Sequence, residues 1–332
     1  MTKSREVRLT RRPKGMPTQA DFEIATVDVG APGDGEVQIR NTWMSVDPYM
    51  RGRMYDGPSY AAPFQVGEAM TGGAVGDVVA SNSSKFAVGD KVQSMFGWRE
   101  TFNAKDSELQ KLDTHGLPEQ LFLGALGMPG LTAYVGVKRI IDLKAGETIF
   151  VSAASGAVGQ MVCQIAKQLG ATVIGSAGGA EKVAFLKEIG CDAAIDYKAV
   201  PDLTRALLGF APAGIDAYFE NVGGEHLEAA ITAAKPHARF AFCGMISGYN
   251  SMEANTAPKN LVQIVGKQLK WEGFIVSTYA SMGKDFARDV GGWIATGKVQ
   301  TKETVEHGVE NAAAAFLKLF TGDNFGKMLV KL

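Results

Sequence analysis

Two periods of apolar residues divide this chain. Up to about residue 125, apolar and polar side chains alternate in short runs, as in Glu36-Val37-Gln38-Ile39-Arg40. A period of two is that of a strand with one buried face. Gly-Asp pairs at 33–34, 76–77 and 89–90 punctuate the runs. Residues 74–80 and 91–95 are expected to be strands of one barrel-like sheet.

After Gly127 the rhythm changes. Residues 148–154 form a continuous apolar run, as a strand buried on both faces requires. Val158, Val162, Ile165 and Leu169 then fall on one face of a helix, with Gly170 where a left-handed C-terminal cap belongs. Further strands are expected at 171–177, 192–197, 215–220 and 238–244. Helices are expected at 181–189, near 203–208 and at 225–234. Strands alternating with helices of about ten residues mean βαβ units and a parallel sheet. The tail is less regular. It reads as a strand at 268–277, helices at 282–296 and 309–321, and a final strand at 326–332 that can return to the first domain. The fold class is therefore α/β. A β-rich domain over 1–127, completed by 299–332, joins a Rossmann-type doubly wound domain over 128–298.

A length of 332 residues suits two domains. The net charge of -1 leaves no electrostatic footprint for nucleic acid or an anionic membrane. Residues 1–13 are basic and polar with no apolar stretch behind them, and no apolar run reaches 18 residues. Neither secretion nor membrane spanning is expected, and the cytoplasm is the expected location. Cys163, Cys191 and Cys243 lack metal-type or redox-type spacing, which argues against a disulfide framework.

The strongest local signal is Ala154-Ser155-Gly156-Ala157-Val158-Gly159. In a chain with 40 glycines a Gly pattern alone is weak. Here a strand ends at the motif and a helix begins in it, the context of a dinucleotide turn. Gly156 lets the backbone approach a pyrophosphate, Gly159 lets the helix pack, and the helix N-terminus favours the negative charge. An NAD site places an acid at the end of the next strand. This chain reads Ile174-Gly175-Ser176-Ala177-Gly178-Gly179, with Lys182 one turn later and Tyr197 after the third strand. Small residues backed by a cation fit a 2′-phosphate, so NADPH is the expected cofactor.

Several longer motifs resemble one family. Ser45-Val46-Asp47-Pro48-Tyr49-Met50-Arg51-Gly52-Arg53-Met54 is similar to a hallmark of the zinc-independent alkenal/one oxidoreductases, medium-chain dehydrogenases/reductases that include prostaglandin, plant double-bond and bacterial curcumin reductases. The likeness continues through Leu126-Gly127-Met128-Pro129-Gly130-Leu131-Thr132-Ala133-Tyr134, Phe219-Glu220-Asn221-Val222-Gly223-Gly224, Cys243 to Asn250, and Gly322 to Lys327. It implies a GroES-like first domain, a Rossmann domain and a homodimer, with 268–277 as the pairing strand. It also implies cofactor contacts from Met128, Thr132, Gly156, Ala157, Val158, Gly178, Lys182, Tyr197, Asn221, Cys243, Tyr249, Phe274 and Asn324.

A zinc alcohol dehydrogenase carries Cys and His where this chain reads Ser45-Val46-Asp47 and Val66-Gly67-Glu68. The four histidines are isolated in sequence, and no metal is expected. Without a Lewis acid, reducing a C=C bond already activated by a carbonyl is the easier chemistry. The expected reaction is hydride transfer to the β-carbon of an enal or enone. A tyrosine donor then faces the developing oxyanion: Tyr249 first, Tyr49 second. Asp47 is read as a turn or helix cap, Arg51 and Arg53 as braces between domains, and Tyr55, Tyr60 and Phe64 as an aromatic wall. The alternatives are a quinone oxidoreductase and a non-enzymatic NADPH-binding protein.

Overall fold

The computed structural model describes residues 1–252 and 257–332. The chain divides into two units. The first is Met1–Leu123 with Glu303–Asn324 and Met328–Leu332; the second is Gly124–Lys302 with Phe325–Lys327.

The first unit is β-rich. Strands β1 (Thr2–Leu9) and β2 (Phe22–Val29) form an antiparallel pair. Strands β3 (Glu36–Ser45), β4 (Ala74–Ser81), β5 (Lys91–Ser94), β6 (Thr101–Lys105) and β7 (Gln110–Lys111) build most of a second sheet around β3. The period-two reading holds in part here, since Gln38 is also buried and bonds to the Gly30 carbonyl and Asn103. Val37 and Ile39 are fully buried with Val78, Val92 and Phe102, while Arg40 faces solvent. A second core gathers Leu9, Phe22, Met44, Met50, Met54 and Trp98.

The second unit is doubly wound. After helix α1 (Met128–Val135) come β8 (Thr148–Val151), α2 (Gly159–Gln168), β9 (Thr172–Ala177), α3 (Ala180–Glu188), β10 (Ala193–Asp196), α4 (Leu203–Phe210), β11 (Ile215–Glu220), α5 (Gly224–Ala233) and β12 (Ala234–Phe242). Helix α6 (Gln263–Lys267), β13 (Lys270–Gly273) and α7 (Gly283–Ala295) follow. The sheet order is β10-β9-β8-β11-β12-β13, all parallel. Ile149, Phe150 and Val151 are fully buried, as a central parallel strand requires. Gly170 caps α2 at φ 81°, with the Ala171 N–H reaching back to the Ala166 carbonyl.

The chain then returns to the first unit. Strand β14 (Glu303–His307), helix α8 (Ala312–Thr321) and β15 (Lys327–Lys331) complete the β-rich sheet, with Leu329 opposite Ser45 on β3. Phe316 of α8 packs edge-on against Trp98 at 6.2 Å.

Two expectations shift. The strand expected at 268–277 is only Lys270–Gly273, and a 3-10 helix occupies Val276–Met282. Helix α2 is buried from Gly159 to Ala166, polar side included. Its Gln160 and Gln164 act as a stand-in strand. Gln164 accepts from the Gln300 N–H at 2.7 Å and donates to the Gln300 carbonyl at 2.8 Å. Gln160 does the same to Lys302, at 2.8 and 3.1 Å. These bonds keep residues up to Lys302 with the nucleotide unit, so the division falls after Lys302 rather than after residue 298.

Candidate active site

The sheet order reverses between β8 and β11, and an open α/β sheet takes its ligand in the crevice at that point. The turn after β8 is the fingerprint. Ala153 adopts a left-handed φ of 45°, which costs a non-glycine residue about 1 kcal/mol. The Gly156 N–H then closes on the Ala153 carbonyl at 2.9 Å. A Cβ on Gly156 would stand 3.1 Å from that oxygen, and one on Gly159 only 2.3 Å away. The helix thus packs where only glycine fits. The N–H groups of Ala157 and Val158 find no acceptor among the described residues, which suits a pyrophosphate at the start of α2. Gly326 lies alongside and donates its N–H to the Ser155 carbonyl at 3.0 Å.

The turn after β9 holds no acid. Gly178 and Gly179, the latter at φ 102°, lead into α3, whose first turn carries Lys182. A Cβ on Gly178 would meet the Tyr197 ring at 3.1 Å and the Lys198 Cε at 2.9 Å. Asp196 ties the two turns, accepting from the Gly179 N–H at 3.1 Å and the Lys198 N–H at 3.0 Å. Lys198 was missed by the sequence reading, although a cation directly after Tyr197 was the signal. Beneath them His226 packs edge-on to Tyr197 at 5.0 Å and lies 3.0 Å from the Ser176 hydroxyl. Burial pushes its pKa down to about 4, so the ring stays neutral. Isolated in sequence, this histidine is a buried hydrogen-bonded one in the fold.

At the switch point, Asn221 donates its side-chain amide to the Ser152 carbonyl at 2.8 Å and its N–H to the Ser152 hydroxyl at 2.9 Å. After β12 come Cys243 and Gly244, a 3-10 turn at Ile246–Gly248, and Tyr249. A Cβ on Gly244 would stand 2.9 Å from the Tyr249 hydroxyl and 3.8 Å from the Asn221 carbonyl, so the phenol lies over Gly244. Burial pushes the Cys243 thiol up to about 12 and keeps it protonated. On α1, the Thr132 hydroxyl donates to the Met128 carbonyl at 2.8 Å. The Phe274 ring is buried against Phe219 and Tyr279.

In the β-rich unit, Tyr49 sits on a 3-10 helix, Pro48–Met54, with Arg51 and Arg53. Arg51 is fully buried. It donates to the Gly15 carbonyl and the Tyr55 hydroxyl, both at 2.6 Å, and lies 4.1 Å over the Tyr55 ring. Arg53 donates to the Ala62 carbonyl at 2.7 Å, lies 4.1 Å over Phe64 and hydrogen-bonds the Tyr49 phenol. Burial, with Asp47 nearby, pushes the Tyr49 phenol above its ordinary value, so it stays protonated. One expectation changes here. Asp47 stands at the N-cap position, but its carboxylate accepts from the Ser45 hydroxyl instead of capping. These arginine bonds brace loops inside the unit. The three aromatics differ in burial: Phe64 is core, Tyr55 lies under Arg51, and Tyr60 is exposed. Asn324 ends this unit's segment, directly before the Phe325–Lys327 stretch of the nucleotide unit.

Residues 5–112 match the family profile described as the N-terminal domain of oxidoreductase, and 157–290 that of a zinc-binding dehydrogenase. The chain is 39% identical to NADPH-dependent curcumin reductase of Escherichia coli, covering 98% of this chain and 95% of that protein. It is 43% identical to the NADP(+)-dependent 2-alkenal reductase of Nicotiana tabacum, covering 98% and 97%. It is also 43% identical to prostaglandin reductase 1 of Bos taurus, covering 96% and 95%. The chain belongs to the alkenal and prostaglandin reductase family. The crystal structure of CurA with NADPH from Vibrio vulnificus superposes at a TM-score of 0.94, with 41% identity over 98% of each chain. A quinone oxidoreductase from Pseudomonas syringae, 23% identical at a TM-score of 0.78, shares the fold. For this member of the reductase family, no three His, Cys, Asp or Glu side chains among the described residues group as a metal site. No described helix is long and apolar enough to cross a membrane.

Proposed function

We propose that the protein reduces the C=C bond of α,β-unsaturated aldehydes and ketones with NADPH and without zinc. The observation that carries this reading is the Tyr249 phenol lying over Gly244, at the carboxyl end of the sheet beside Asn221. The turns fit the cofactor: Gly156 to Val158 suit its pyrophosphate, and Gly178, Lys182 and Tyr197 suit its 2′-phosphate. Bound NADPH would supply the hydride that the β-carbon accepts, and a proton from solvent completes the reduction at the α-carbon. Tyr249 donates a hydrogen bond to the carbonyl oxygen as negative charge grows there, a contribution of roughly 3–4 kcal/mol for one well-placed donor. A phenol suits the task because it stays protonated near neutral pH. Tyr49 is the second candidate, kept protonated by its burial. Met128, Thr132, Cys243, Phe274 and Asn324 complete the proposed cofactor contacts.

Zinc-free action follows from Ser45, Asp47 and Val66-Gly67-Glu68 standing where a zinc enzyme needs Cys and His. A homodimer paired through β13 and a cytoplasmic location complete the proposal. The test is NADPH consumption with trans-2-alkenones and curcumin, with a quinone and NADH in parallel. Fast NADPH-selective turnover of the enones is expected. Turnover of the quinone alone would replace this reading with a quinone oxidoreductase.

A further inference from the structure

Among the described residues, the nucleotide unit buries one carboxyl that the proposed reaction does not use. Glu220 ends β11 at the switch point and is fully buried. Its Oε1 accepts from the Val222 N–H at 2.7 Å, the Tyr218 hydroxyl at 2.8 Å, the Gly223 N–H at 2.9 Å and the Ser152 hydroxyl at 3.1 Å. Its Oε2 has no partner among the described residues. Burying a carboxyl is costly, and burial pushes this one above the ordinary carboxylate range. A hydrophobic side chain would fill the same volume at less cost, yet it would hold none of the four donors.

Those donors are the frame of the switch point. The Val222 and Gly223 amides form the turn directly after Asn221. Ser152 is the residue that holds Asn221 twice, across from β11. The backbone carbonyl of Glu220 accepts from the Cys243 N–H at 3.1 Å and the Gly244 N–H at 3.2 Å. The next two carbonyls continue the zipper, Asn221 to the Ile246 N–H at 3.1 Å and Val222 to the Ser247 N–H at 3.0 Å. One residue thus gathers the turns that leave β8, β11 and β12. Tyr249 lies over the Gly244 that this zipper fixes.

We propose that Glu220 is a positioning residue whose Oε1 sets the turns carrying Asn221, Gly244 and Tyr249, and with them the seat of the cofactor's nicotinamide end. The proposal rests on the NADPH reading above and deepens it. Glu220 acts through its neighbours, and placement of an acceptor oxygen is what it contributes.

The experiment titrates the full chain and its Glu220→Asp, Glu220→Gln and Ser152→Ala variants with NADPH and NADH, by protein fluorescence, with a thermal melt of each. Aspartate withdraws the oxygen by about 1.5 Å, whereas glutamine leaves an acceptor in place. E220D is expected to bind both cofactors about tenfold more weakly, with their ratio unchanged, and E220Q to stay within about threefold of wild type. A folded E220D with wild-type affinity overturns the proposal, even if its melting temperature falls. Equal loss in E220D and E220Q also overturns it. Should E220D fail to fold, S152A decides: affinity weaker by about fivefold supports the proposal, and wild-type affinity overturns it. The titration needs no acceptor substrate. Wild type that binds NADPH but reduces no enone would sink the proposed reaction and leave Glu220's role standing.

Discussion

The two units hold their candidate groups by different means. In the nucleotide unit, the groups sit on turns between regular strands and helices, and backbone contacts set them. An added Cβ would stand 3.1 Å from the Ala153 carbonyl at Gly156 and 2.3 Å from it at Gly159. In the β-rich unit, Tyr49 rides on one short 3-10 helix, and side chains hold it: Arg51 to the Gly15 carbonyl, Arg53 to the Ala62 carbonyl. Backbone-built sites tolerate no added atom. Side-chain-built sites leave more room for added atoms and depend on a few long cations.

The sharpest way to break this comparison is one pair of glycine substitutions. Gly159→Ala drives a Cβ to 2.3 Å from the Ala153 carbonyl, whereas a Cβ on Gly52, in the Tyr49 helix, meets nothing within 4 Å. Gly159→Ala is expected to cost about 3 kcal/mol or more and to abolish NADPH binding, and Gly52→Ala to change stability by less than about 0.5 kcal/mol. Melts and cofactor titrations check both. Similar losses at the two sites would end the distinction.

The tyrosines come next. Tyr249→Phe is expected to lower kcat by about 10²–10³-fold, the loss of one oxyanion donor. Tyr49→Phe is expected to lose about tenfold, through the Arg53 contact. Steady-state rates with one enone decide, and the reverse order would move the donor to the β-rich unit.

His226 tests how rigid the cofactor turns are. Its folded pKa is depressed to about 4 from 6.5, so between those values the unfolded chain binds a proton that the folded chain does not. Its contribution is present above pH 6.5 and is lost as pH falls toward 4, by at most roughly 3 kcal/mol. His226→Phe should flatten the melting temperature over that window. An unchanged pH profile would show that the ring is not the titrating group.

Lys182→Ala is expected to weaken NADPH binding by about tenfold and to leave NADH unchanged, as the loss of a charge-assisted bond to a phosphate. A parallel Lys198→Ala titration shows whether the second cation contributes. The smallest effect is at Ala153, where relief of the left-handed φ of 45° should make Ala153→Gly more stable by about 0.5–1 kcal/mol. Denaturant unfolding measures it.

Much of this was legible because the repeated βα turn writes itself into sequence. Strand 215–220 and the Gly170 cap fall where periodicity places them. The missing acid after β9 points to NADPH, the cofactor named for the relatives of this chain. The failures are equally specific. The period of α2 marks only its apolar face, and Gln160 and Gln164 on the polar side grip a segment more than 130 residues away. Phe64 looked like a pocket wall and is core. A polar side chain in sequence carries no mark of which distant backbone group it will satisfy.

The sequence by itself determined the strand and helix rhythm, the dinucleotide turn and the family, because those depend on spacing within about 30 residues. Tertiary structure alone decided the rest. It laid the Tyr249 phenol over Gly244, set Lys198 beside Gly178, buried His226 under Tyr197, and brought four donors to one oxygen of Glu220. The Lys198, His226 and Ser152 contacts join separate turns of a parallel sheet and exist only once the strands between them have paired.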